Sequence, residues 1–131
     1  MNTTSSTSTR LIGETRLAQQ INILPKSATM KGDMEASEDL SIRIDGEYEG
    51  TVRLEKAGTV HIAKGAIVTT TQIVADHIFV EGTVKGDLHA RKGIELAPTA
   101  QVKGAIKYEH HMDMHPGAKV SGQIDGPDTG I

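Results

Sequence analysis

His110, His111 and His115 lie close together in the sequence and are the first place to look for chemistry. A zinc site held between repeats would need its ligands in register with one another. One and two repeat lengths before His110 stand Lys92 and Val74, so no imidazole stacks upon it. A second series, Thr59, His77, Glu95 and Asp113, recurs at equal spacing and places His77 beside Glu95. Solvated polar rungs account for both groups. The sequence offers no paired carboxylates in a pocket, no phosphate loop and no nucleophile with a base beside it. No catalytic, cofactor-binding or metal-binding residue is therefore assigned, and no cofactor is expected.

The elements that carry these side chains follow from one repeated phrase. Val84-Lys85-Gly86-Asp87-Leu88 returns as Val102-Lys103-Gly104-Ala105-Ile106, eighteen residues later. At that step a glycine slot reads Gly32, Gly50, Val68, Gly86, Gly104 and Gly122, and the slot ten residues beyond reads Ile42, Val60, Ile78, Leu96 and Met114. A fixed period in this range marks a solenoid whose units must stack to bury a core. Within a unit, Ser41-Ile42-Arg43-Ile44 and Thr59-Val60-His61-Ile62 alternate with the two-residue period of a strand. Eighteen also divides into three sixes, as Ile78, Val84, Ala90, Leu96 and Val102 do. The expected fold is all-β: a single-stranded parallel β-helix with three faces and about six coils of eighteen residues, at a strand spacing of ~4.8 Å.

Composition supports this class and disfavours others. The chain has 131 residues, and its only aromatics are Tyr48, Phe79 and Tyr108, which suits a narrow interior filled by Val, Ile and Leu. A net charge of -3 with scattered basic residues argues against nucleic acid, which needs a concentrated positive face. There is no cysteine, no apolar run near eighteen residues and no charged-then-apolar leader, so a cytoplasmic protein is expected.

Three regions are expected. Residues 1–19 open with a Ser/Thr tract too polar to offset its ordering entropy and read as a disordered tail. Within it Arg10, Leu11 and Ile12 form a basic-apolar segment, a candidate for weak membrane contact. Residues 20–126 form the β-helix, and 127–131 a short polar tail. In the coil lacking the glycine, Ile67, Ile73 and Phe79 fall on slots elsewhere polar, while Gln72 and Asp76 fall on inward slots. Either a local bulge buries some of these apolar side chains, or they form an exposed lateral or partner-binding surface. Neither end of the solenoid has a helical or charged cap, so each presents apolar residues for stacking. These are Met112, Met114, Val120 and Ile124 at the C-terminal end and Ile21, Ile23, Leu24, Met30 and Met34 at the N-terminal end.

Asp39-Leu40-Ser41-Ile42-Arg43-Ile44-Asp45-Gly46-Glu47-Tyr48-Glu49-Gly50, together with Val84 to Leu88 and Glu95 to Gly104, resembles the bactofilins, bacterial polymer-forming cytoskeletal proteins. The resemblance implies a right-handed β-helix that polymerises end to end without nucleotide, like ends meeting, into non-polar filaments. It also implies a scaffold for cell shape, or one that localises cell-wall enzymes or polarity proteins, often at the inner face of the membrane. The rival reading is a trimeric, left-handed β-helix acyltransferase-like enzyme. Such repeats place a small residue after the aliphatic one, where this chain has Arg43, His61, Phe79, Ala97 and His115.

Overall fold

A computed structural model of the chain describes residues 21–36, 41–56 and 58–126, with backbone alone for residues 21–23. The expected tails, 1–19 and 127–131, and with them Arg10, Leu11 and Ile12, lie outside the described residues. The described strands run β1 (Ile21–Leu24), β2 (Thr29–Lys31), β3 (Met34–Ala36), β4 (Ser41–Ile44), β5 (Glu47–Glu49), β6 (Val52–Leu54) and β7 (Thr59–Ile62). There follow β8 (Ile67–Val80), β9 (Thr83–Leu96), β10 (Gln101–Lys103), β11 (Ile106–Tyr108), β12 (His111–Met114), β13 (Lys119–Ser121) and β14 (Ile124–Asp125). All pair in parallel.

Winding places these strands on three faces. The first carries β1, β4, β7, the ends of β8 and β9, and β12; the second carries β2, β5, the starts of β8 and β9, β10 and β13. The third carries β3, β6, the middles of β8 and β9, β11 and β14. On the first face the register closes five times, Ile21 to Ile42, Val60, Ile78, Ile94 and Met112. Ile42, Val60, Ile78 and Ile94 are each 0% exposed. Burying one such side chain contributes roughly 1.5–3 kcal/mol, so stacked aliphatic rows hold the rod together.

The corner between the second and third faces shows why glycine recurs. Gly104 has φ +154°, and a Cβ there would fall 2.1 Å from the carbonyl oxygen of Gly86. Only glycine relieves both the sign of φ and the contact. The residue after the glycine completes the corner: the N–H groups of Thr51 and Ala105 each donate at 3.0 Å to a carboxylate one coil earlier, Asp33 and Asp87 respectively. Tyr48, 2% exposed, donates its hydroxyl to the carbonyl of Gly32 in the same corner. Burial, and then the charge on Asp33, pushes this phenol above its ordinary 10.0. The neutral phenol is the form that donates, so its contribution is complete below pH 10.0 and is lost as pH rises through the raised value.

The strict eighteen-residue register fails in the central coil, and this corrects several slot assignments. Tyr48 pairs with Val68, twenty residues on, and Val68 with Val84, sixteen on. Val52 pairs with Ile73, twenty-one on, and Ile73 with Leu88, fifteen on. An excess of two or three residues is thus followed by an equal deficit, and the count recovers. Val68 is consequently not in the glycine slot but in the row of Tyr48 and Val84. Thr70 stands at the glycine level, its carbonyl 1.9 Å from where a Cβ on Gly86 would lie. With one extra residue available, the corner turns without glycine: Thr70 Oγ1 donates to the Gln72 carbonyl and accepts the Gln72 N–H, both at 3.1 Å. Leu96 likewise pairs with Val80, and Ile94 takes the place beside Ile78.

Candidate functional site

The bulge settles the fate of the irregular apolar residues. Ile73 is 0% exposed inside the rod, and Phe79 is 3% exposed on the outer side of the first face, packed with Ala97 and against the His61 ring at 4.9 Å. Neither belongs to an exposed lateral surface. Ile67, at 39%, is the member of the trio that remains exposed. Gln72 is exposed rather than inward. Asp76 is buried but paired: Arg91 Nε donates to it at 2.7 Å, and Lys92 Nζ lies 3.9 Å away.

Arg91 was not visible as special in the sequence, and its role comes from the deficit in the coil. The third-face pairing of β6 with β8 ends at Arg53 and Val74, which leaves the Leu54 carbonyl beyond the ladder; the Arg91 guanidinium donates to it. One side chain thus satisfies both a buried carboxylate and a stranded carbonyl where the short coil cuts the corner. Removing one partner of a buried pair costs about 3–5 kcal/mol, and partial exposure of Arg91 lowers this. Arg91→Ala is therefore expected to lower stability by about 2–3 kcal/mol in urea unfolding, with Arg91→Lys recovering only part because it lacks the fork. A loss within about 0.5 kcal/mol, the range of an ordinary surface change, would refute this role.

The histidines pair along diagonals, not along rungs. His61 Nε2 lies 2.7 Å from Glu81, His89 Nε2 2.6 Å from Glu109, and His115 Nε2 2.7 Å from Glu95, each pair twenty residues apart. The expected His77–Glu95 neighbours are not adjacent: His77 pairs with Gly93, and Glu95 lies between Phe79 and Asp113. The cause is again the sixteen-residue step. Glu95, Asp113 and His115 bring potential ligand atoms within 4.8 Å of one another, but His115 and Glu95 already lie at hydrogen-bond distance, which makes the trio a hydrogen-bonded cluster. His110 and His111, both exposed, have ring centroids 6.3 Å apart.

The recess beside Lys26, Gly46 and Lys64 has a volume of about 140 Å³. That is below the ~300 Å³ of the smallest usual ligand pockets. The terminal coils differ in kind. Among the described residues β1, β2 and β3 pair only with β4, β5 and β6, and β12, β13 and β14 only with β9, β10 and β11, so both ends are open sheet edges. Met30 (38%), Met114 (43%) and Ile124 (42%) are exposed on these coils. Met34, Met112 and Val120 are half-buried against the core. Leu24 is 4% exposed and already buried, so it is withdrawn from the N-terminal end surface. The side chains of Ile21 and Ile23 lie outside the described residues. Among the described residues no helix is long and apolar enough to cross a membrane.

One family model matches the chain over residues 22–125, that of Bactofilin, described as polymer-forming cytoskeletal. Searches of curated proteins and of solved structures returned no match.

Proposed function

The chain belongs to the bactofilin family of polymer-forming cytoskeletal proteins, and from that premise we propose that its solenoids join end to end, without nucleotide, into filaments. The observation that carries this is the placement of exposed apolar side chains: of the four large ones among the described residues, Met30, Met114 and Ile124 lie on the terminal coils and only Ile67 elsewhere. Each end couples such side chains with an unfilled sheet edge, the arrangement that accepts another edge. Like ends meeting would set strands antiparallel across the junction and make each contact self-complementary, giving a filament without polarity.

Such a filament is a scaffold. In the cell it would support shape or localise cell-wall enzymes or polarity proteins, in the cytoplasm and along the inner face of the membrane. Against the acyltransferase-like enzyme, the position after each first-face aliphatic holds Arg43, His61, Phe79, Glu95 and Asp113, none of them small. The test is direct. Purified full-length chain without nucleotide should form filaments visible by electron microscopy, with a solution mass that grows with concentration. A discrete trimer at all concentrations would overturn the scaffold reading in favour of the enzyme.

A further inference from the structure

The terminal coils are ramps, and the ramp restricts how two like ends can meet. Parallel strands stack ~4.8 Å apart, so within one coil each face climbs about a third of that, ~1.6 Å, beyond the one before it. At the C-terminal end the last described strands therefore step outward from β12 on the first face, through β13 on the second, to β14 on the third. At the N-terminal end β3, β2 and β1 step outward in the same way. A twofold axis perpendicular to a three-faced rod passes through one face and exchanges the other two. If it crosses the first face, β12 meets its own copy and β13 meets β14, and the two separations differ by a whole strand spacing, ~4.8 Å. Crossing the third face gives the same mismatch. Only an axis through the second face, the middle step of both ramps, brings all the meeting edges to one spacing.

We infer that the second face carries the axis at both ends, so that β13 pairs antiparallel with β13 of the partner subunit, β2 with β2, and β12 with β14. This rests on the like-to-like, end-to-end reading and adds to it the face about which copies turn over. The apolar side chains of the end coils agree with it. Met30, Met114, Val120 and Ile124 continue inward rows that are buried in the coils beneath, so each points into the rod and is accessible through its open end. Met114 stands just before the corner that leads into β13, and Ile124 just after the corner that leaves it. Rotation about the second face therefore lays Met114 over the partner subunit's Ile124, twice, with Val120 over its own copy between them. At the other end Met30 lies over its own copy. The three large apolar side chains exposed on the terminal coils thus all meet apolar partners. Asp113 and the partner subunit's Asp125 share the solvent side of the same pairing, where dissolved ions screen them. Every second face then lies on one side of the filament as a continuous sheet bearing the exposed Glu49, Lys85 and Lys103, while first and third faces alternate along its flanks.

The chain has no cysteine, so introduced thiols report which edges meet. Directly opposed residues of antiparallel strands have Cα atoms about 4.5–5.5 Å apart, within the span of a disulfide. Filaments of the full chain are oxidised mildly and run on a non-reducing gel. Val120→Cys should pass from monomer to covalent dimer, and so should Met114→Cys combined with Ile124→Cys. Met114→Cys alone and Ile124→Cys alone should stay monomeric, because the axis carries each to the opposite flank of the partner subunit. Met30→Cys reports the N-terminal end as Val120→Cys reports the other. Should Val120→Cys fail to fold by circular dichroism, the exposed pair Lys119→Cys with Ser121→Cys replaces it. Filaments in which Met114→Cys or Ile124→Cys dimerises alone, or in which no variant dimerises, would overturn the second-face axis and leave end-to-end assembly standing. Cross-linking of Val120→Cys only when Met30→Cys is also present would overturn the axis by showing head-to-tail growth. A chain that forms no filaments would remove the end-to-end reading, and this inference with it.

Discussion

Val120→Arg together with Ile124→Arg is expected to abolish filaments and leave dimers of fully folded solenoids. Val120 and Ile124 sit on β13 and β14, the last second- and third-face strands described, paired on one side only, and Ile124 is 42% exposed. Covering such side chains at a junction contributes roughly 1.5–3 kcal/mol for each one fully buried. Replacing them removes that gain and, in a self-complementary contact, brings two arginines from each subunit together, at a further cost of several kcal/mol. Since 1.4 kcal/mol is about a tenfold change in affinity, the junction should weaken by several orders of magnitude. Folding should survive, because both positions are at least partly accessible in the single chain. Electron microscopy, solution mass and circular dichroism together read the result. Dimers through the intact N-terminal end indicate like-to-like junctions; folded monomers indicate head-to-tail growth; persistent long filaments remove this end from the contact.

Ile78→Asp should unfold the rod. Ile78 is 0% exposed, stacked between Val60 and Ile94 in the middle of the first face. The substitution combines the loss of a large aliphatic side chain, about 2–5 kcal/mol when truncated in a core, with the cost of a carboxylate that no neighbour in the row can pair. Together these rival the whole stability of a domain of this size, on the order of 5–15 kcal/mol. In a solenoid each coil is supported by its two neighbours, so damage at a central rung divides the stack. Ile78→Val at the same site should cost only about 0.5–1.5 kcal/mol. Circular dichroism and the urea midpoint distinguish the two, and an Ile78→Asp protein with the wild-type midpoint would show that this row does not face inward.

The features legible from sequence are those set by local chemistry. Two-residue alternation at Ser41 to Ile44 specifies a strand, and Gly86 and Gly104 specify a corner that a Cβ would block. Repetition of both at eighteen residues specifies parallel stacking. The terminal Met30, Met114 and Ile124 were legible for a related reason: a repeat that stops has no further coil to cover them. What the period could not locate is where a coil gains residues and where it loses them, because an excess before Thr70 and a deficit before Gly93 cancel in the count. Only the pairing of backbones in three dimensions decides that Ile94, not Leu96, lies beside Ile78, and that Ile73 and Phe79 are buried. The same pairing strands the Leu54 carbonyl for Arg91 and brings Glu95 to His115 instead of His77. The inaccessible outer side of the first face lies further still from sequence. Thr59 and His61 alternate as any solvated strand would, yet they are 0% and 6% exposed, and that burial is no property of their own strand's pattern.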